Sequence, residues 1–255
     1  MDRAPSVTPL ELWDMPVEGR PLQHYRQRPS FARQLAAVVA GLRTGALGRD
    51  IVAHAVELAR DIDTVVLAGG GVEPAIEASL AELGLTVHVA DDPSFAAVRA
   101  GWTTASPSVD LCADLGQTSL KLFDGRHAWR VERDERLAPM ARAAGDETSR
   151  STTLDFIAEA LGTHAASGRV LLALPCEVGS DQAPTVCTYC WRDPDPTWRA
   201  ELAERMGIEL EHLRLVNDAE LAATAAFVQL GPRPTPTLVL TIGFGVGAAI
   251  VEPSS

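Results

Sequence analysis

Apolar and polar positions alternate most regularly in the middle of the chain, in VDLCADLGQTSLKLF (109–123). Val109, Leu111 and Ala113 interleave with Asp110 and Cys112, and Leu120 and Leu122 flank Lys121. This period of two predicts two strands joined by a tight turn. LVLTIGFGVGAAIV (238–251) repeats the plan, with glycines in the turn. DTVVLAGGGVEPAIEASLAELG (63–84) reads as a strand running through three glycines into a helix, with Pro74 near its first turn. LRLVNDAELAATAAF (213–227) reads as a short strand ending in Asn217-Asp218, then an Ala-rich helix. Further helices are predicted over 31–43, 50–60, 93–100, 151–162 and 196–206, and further strands over 86–90, 127–133 and 170–174. Residues 1–30 read as loop, and GWTTASPS (101–108) and LGPRPTP (230–236) as connectors. The class is α/β, with no internal repeat or low-complexity segment.

Each glycine-bearing turn has a chemical and a structural reading. In the first hairpin, Gly116 lets the backbone approach an anion, Thr118 and Ser119 offer hydroxyls and amides, and Asp114 at the strand end can hold magnesium directly or through water. Lys121 is the only lysine of the chain, although a lysine beside a turn is by default a solvated charge. Gly243, Gly245 and Gly247 make either a second phosphate loop or a plain hairpin turn. Gly69, Gly70 and Gly71 make either a ligand approach or a tight strand-to-helix packing turn. Asn217-Asp218 is either a reactive pair or a helix N-cap.

Taken together, two phosphate hairpins, an Asn-Asp strand end and a strand-GGG-helix unit resemble the actin, sugar kinase and Hsp70 superfamily of ATP-dependent proteins. Within it the chain is most similar to the ROK family of sugar kinases and repressors. RVLLALPCEVGSDQAPTVCTYCW and WRAELAERMGIELEHLRLVNDAELAATAAF match that family's strand ending in proline, tryptophan-bearing loop, helix and Asn-Asp strand end, and TIGFGVGAAIV follows as its second phosphate loop. The family's next segments match the start of this chain. In LELWDMPVEGRPLQHYRQRPSFARQL, Glu11 falls on the glutamate of a Glu-x-Gly-His sugar motif, Trp13 on its glycine and Asp14 on its histidine, while Leu22, His24 and Pro29 replace three zinc cysteines.

The resemblance therefore implies a circularly permuted, two-lobed actin-like (ribonuclease H-like) fold without the structural zinc. One lobe would comprise 1–101 with 235–255 and the other 108–234, joined through GWTTASPS. It implies an ATP- and magnesium-dependent kinase acting on a hydroxyl of a sugar or sugar-like molecule. Asp218 would be the general base, help of a kind generally worth about 100- to 10,000-fold, and Asp114 would organise magnesium. Asn217, Glu11 and Asp14 would bind substrate. Gly116, Gln117, Thr118, Ser119, Lys121, Gly243, Gly245, Gly247, Gly69, Gly70 and Gly71 would surround the nucleotide. The altered sugar motif implies a remodelled substrate pocket, and Phe244 between two of the glycines puts a bulky ring beside the phosphates that would alter how ATP sits, with loss of transfer activity as the alternative.

Composition narrows the classes. The 255 residues carry 22 basic and 34 acidic side chains, a net charge of −12, which argues against a nucleic-acid surface and against the repressor branch of the family. No signal segment or membrane-length apolar run is visible, so a cytoplasmic protein acting on a small molecule is expected, with a homodimer as one assembly open to it. Four cysteines read as reduced thiols, and the Cys187-x-x-Cys190 pair lacks a second ligand pair in range. Two other classes remain. In a Rossmann oxidoreductase, Gly69-x-Gly71 would bind a dinucleotide and Asp91 its ribose, but Pro74 occupies the third glycine position and both phosphate hairpins go unexplained. A non-catalytic or filament-forming actin-like protein is the other, since ADDPSFAAVRAG resembles the end of bacterial actin-like ATPases.

Overall fold

The computed structural model describes residues 6–47, 53–133, 147–162, 164, 168–185 and 194–253. In chain order the elements are β1 (Val7–Leu10), β2 (Pro16–Val17), β3 (Arg20–Pro21), α1 (Phe31–Thr44), α2 (Ala53–Arg60), β4 (Thr64–Ala68), α3 (Pro74–Ala81), β5 (Thr86–Val89), α4 (Ala96–Thr104), β6 (Leu111–Leu115), β7 (Ser119–Phe123), β8 (Ala128–Glu132), α5 (Glu147–Gly162), β9 (Val170–Leu174), α6 (Trp198–Met206), β10 (Leu213–Asn217), α7 (Asp218–Leu230), β11 (Thr237–Ile242) and β12 (Val246–Val251). Cys187 and Cys190 lie outside the described residues.

The chain divides into two compact units, Met1–Ala96 with Ala222–Ser255, and Ala97–Leu221. The first holds a five-stranded sheet in the order β1-β12-β11-β4-β5. β11 and β12 form an antiparallel hairpin, and β1 adds antiparallel to β12, pairing Val7 with Val251 and Leu10 with Ala248. On the other side β4 lies parallel to β11, and β5 parallel to β4. β4 (TVVLA) is buried at every position, as a parallel strand covered on both faces must be. Helix α1 packs against α2 and α3. It stops at Gly45, whose φ of 73° is the left-handed C-cap glycine favours.

β1 is a strand where the sequence reads as loop. Its Pro9 breaks the strand pattern, but β1 is the sheet edge, where a missing N–H leaves no ladder bond unmade.

The second unit repeats the arrangement in simple chain order. Its sheet runs β10-β9-β6-β7-β8, with β6, β7 and β8 an antiparallel meander and β9 and β10 added parallel on the far side of β6. β6 and β9 are buried at every position. Trp198 of α6 is fully buried in the core with Leu111, Leu115, Leu154, Leu172 and Leu202. Arg150 of α5 donates to Asp195, 2.5 Å from Nε to Oδ2, and to Glu201, 2.6 Å from Nη1 to Oε2, which ties α5 to the start of α6.

Two expected connectors fall differently. α4 continues through 101–104, and Gly101 within it is a close-packing residue: a Cβ there would stand 2.4 Å from Leu221 Cδ1 and 2.8 Å from Cys112 Sγ. Likewise the unit boundary falls inside α7, so the connector 230–236 lies wholly in the first unit. No helix among the described residues is long and apolar enough to cross a membrane.

Candidate functional site

In each sheet three strands are parallel, and in α/β sheets the loops beyond the carboxyl ends of such strands are where ligands bind. In the second unit those ends carry the Gly116–Thr118 turn after β6, Pro175-Cys176-Glu177 after β9, and Asn217-Asp218 after β10.

The turn after β6 is closed by Gly116 N–H donating to Ser119 O at 2.9 Å. The backbone N–H groups of Gln117 and Thr118 have no acceptor among the described residues. Asp114 and Lys121 are cross-strand partners in register, and Lys121 Nζ donates to Asp114 Oδ2 at 2.9 Å. Both side chains are more than four-fifths buried, at 12% and 18% exposure, so the lone lysine is this carboxylate's partner and not a solvated charge. Gln117 Oε1 is buried and accepts no hydrogen bond among the described residues, an orphan acceptor inside the same turn.

Asn217 proves to be a helix cap. Its Oδ1 accepts from Ala219 N–H at 2.9 Å and Glu220 N–H at 3.2 Å, and its Nδ2 donates to Cys176 O at 2.9 Å. One amide thus starts α7 and ties it to the loop after β9. Asp218, half-buried, is the first helical residue. Replacing Asn217 by alanine is expected to cost about 1–2 kcal/mol through the lost cap, read as a lower urea midpoint with an unchanged m-value.

In the first unit the carboxyl ends of β11 and β4 bring two glycine turns into contact. Gly71 N–H donates to Ile242 O at 2.8 Å, and Gly69 N–H to Pro93 O at 2.7 Å. Gly69 has φ 96°, and a Cβ there would meet Ile242 O at 2.3 Å. Gly243 N–H donates to Gly245 O at 3.0 Å, closing the hairpin around Phe244, which is 48% exposed. The N–H groups of Gly70, Phe244 and Gly245 have no acceptor among the described residues. Gly247 lies in β12 opposite Thr241, outside the turn.

No family model matches this chain, and no curated protein matches it in sequence.

The expected substrate segment is also in the first unit. Leu12, Trp13 and Met15 are buried while Glu11 and Asp14 face outward, and Gln23 Nε2 donates to Asp14 Oδ1. Of the three positions aligned with zinc cysteines, Leu22 is buried, His24 half-buried and Pro29 exposed; the neighbouring Tyr25 is buried, and its OH donates to Val17 O at 3.4 Å. Arg20 Nη1 donates to His24 Nε2 at 3.1 Å. Partial burial, then the charges of Arg28 and Arg20, lower the His24 imidazole below its ordinary range.

Two residues of these edges escape sequence reasoning. Arg26 donates from Nε and Nη2 to Gly243 O at 3.0 and 2.6 Å, across 217 positions, which no local pattern signals. Glu220, in the first turn of α7, is pushed above the usual carboxyl range, chiefly by burial and further by the charge of Glu177, against the opposing pull of its backbone bond to Asn217 and of Arg214. A carboxyl raised on folding contributes stability that is complete below the ordinary glutamate range and lost as pH rises through the folded value. Glu220→Gln should therefore raise the unfolding midpoint at pH 7 and have little effect near pH 4, in thermal scans at the two pH values.

Proposed function

We propose that the chain is an ATP-dependent kinase with a permuted actin-like fold, transferring the γ-phosphate to a hydroxyl of a sugar or sugar-like small molecule. The observation that carries this reading is the shared architecture of the two units. Each sheet is an antiparallel meander with two parallel strands added beyond its first strand. Each has a glycine turn between the first two meander strands, at Gly116 and at Gly243–Gly245. The second unit uses β6 to β10 in chain order, whereas the first uses β11 and β12, then β1, β4 and β5. A duplicated fold whose second copy was cut after its hairpin and rejoined would have this order, and compact domains tolerate such cuts at surface loops.

The chemistry follows from the residues at the strand ends. Phosphoryl transfer needs donors on the phosphates and an oriented acceptor hydroxyl far more than covalent help from the protein. The uncommitted N–H groups at 117 and 118, and at 70, 244 and 245, are donors of that kind. Asp218 would take the proton of the acceptor hydroxyl.

A nucleotide-borne magnesium ion fits the second unit's turn. Asp114 offers one carboxylate, and the orphan Gln117 Oε1 would accept from a metal-bound water. Among the described residues no group of three or more His, Cys, Asp or Glu side chains could hold a metal without such phosphates. The ion would neutralise phosphate charge. Lys121 would keep the Asp114 carboxylate oriented when the ion is absent.

The mixed sheet of the first unit, with its antiparallel meander, weighs against the all-parallel sheet of a dinucleotide-binding oxidoreductase. A second reading, nucleotide binding without transfer, is favoured by Asn217, whose amide is committed to the cap and to Cys176, and by the exposed Phe244 ring in the turn. Calorimetric titration with ATP and magnesium, beside a phosphoryl-transfer screen over sugars and amino sugars, separates the two. Binding with transfer supports the kinase, binding without transfer in any pairing supports the second reading, and no binding overturns both.

A further inference from the structure

We propose that Arg26 is the fixed positive charge of a phosphate recess in the first unit and makes the site prefer nucleoside di- and triphosphates over nucleosides. The inference rests on the nucleotide reading above. The guanidinium is wedged where the two glycine turns meet: a Cβ on Gly71 would stand 2.3 Å from its Nη2, 3.1 Å from Ile242 O and 3.2 Å from Gly243 O. Its Nε and Nη2 grip Gly243 O, and its plane lies over the Phe31 ring at 4.8 Å from the centroid. The backbone that carries it is pinned by Arg26 N–H donating to Gln23 O at 3.2 Å and Arg28 N–H to Tyr25 O at 2.7 Å.

No carboxylate pairs with Arg26 among the described residues, although the chain has 34 acidic side chains to 22 basic ones. Arg150, by contrast, is ringed by two carboxylates, and Arg205 reaches Asp155. Among the described residues this half-buried cation is held by a carbonyl and an aromatic ring, which leaves its charge for another anion, and the two turns it joins also carry the amides of Gly70, Phe244 and Gly245, which have no acceptor among the described residues. Uncommitted backbone N–H groups on the turns that one guanidinium joins suit the terminal oxygens of a phosphate chain. The base and ribose of a nucleoside offer no such charge.

Two substitutions separate charge from mechanical grip. Arg26→Gln keeps a donor for Gly243 O without the charge, and Arg26→Lys keeps the charge without the fork. Titration calorimetry with ADP, adenosine and tripolyphosphate, on variants whose thermal unfolding shows them folded, reads the difference. Arg26→Gln is expected to weaken ADP about tenfold and tripolyphosphate at least as much, with adenosine within about twofold, and Arg26→Lys to recover most of the loss. Equal losses for ADP and adenosine, or an unchanged ADP affinity in Arg26→Gln, would overturn the proposal and leave Arg26 a clamp between turns. A wild-type protein that binds neither ADP nor tripolyphosphate removes the nucleotide reading itself, a different failure from Arg26-independent binding.

Discussion

Asp218→Asn should lower kcat for phosphoryl transfer about 100- to 10,000-fold, the range of general-base assistance, while ATP affinity stays within about twofold. The backbone around this substitution is held by the residue before it. The backbone of 217–220 is set by the Asn217 amide, which accepts from the Ala219 and Glu220 N–H groups and donates to Cys176 O. Asparagine preserves the volume of the Asp218 side chain and leaves those three bonds of the Asn217 amide in place. Steady-state rates on whichever acceptor the screen identifies, with ATP affinity measured separately, give the split. Equal kcat in wild type and variant would remove Asp218 as the base, and a loss confined to KM would make it a binding group. The contrast with Asn217→Ala is informative, since that change is expected to act on stability first.

Gly69→Ala is expected to be the most destabilising single methyl that can be added at the proposed site. The residue sits at φ 96°, where a side chain is strained whatever the space, and its Cβ would lie 2.3 Å from Ile242 O, 2.8 Å from Ile242 C and 2.9 Å from Ile242 N. Those atoms are backbone at the end of β11, and Ile242 O also accepts the Gly71 N–H. The new methyl must therefore push apart two neighbouring strands of one sheet. Backbone strain of about 1–2 kcal/mol and overpacking of about 1–3 kcal/mol together predict a loss of about 2–5 kcal/mol. Gly84→Ala is the matched control: its φ is also positive, at 75°, but a Cβ there would meet nothing within 4 Å. It should lose only the backbone part, about 1–2 kcal/mol. Urea unfolding of the three proteins tests this, and equal losses in both variants would show that the contact with Ile242 is not tight.

Gly69 and Arg26 mark how far the glycine motif was legible. That GGG follows a strand and opens toward a helix is local information, read from composition and period. That its first and third glycines are compelled by the backbone of a hairpin some 170 positions later, and by an arginine from the chain start, is not. Lys121 illustrates the same limit. Its uniqueness drew attention to the position, but only the register opposite Asp114 turned a presumed surface charge into a largely buried partner.

By itself the sequence determined the α/β class, the strands 170–174 and 213–217, the existence of the Ala-rich helix after Asn217 and the places of the glycine turns, because hydrophobic period and turn chemistry are local. It could not determine that the Pro9 segment is a strand, that α4 runs through Gly101, that the first unit begins again inside α7, or that Asn217 is spent as a cap. Each of those depends on a neighbour distant along the chain. An edge position tolerates the missing N–H of proline, a close approach needs glycine within a helix, and an amide's role depends on which backbone groups it can reach.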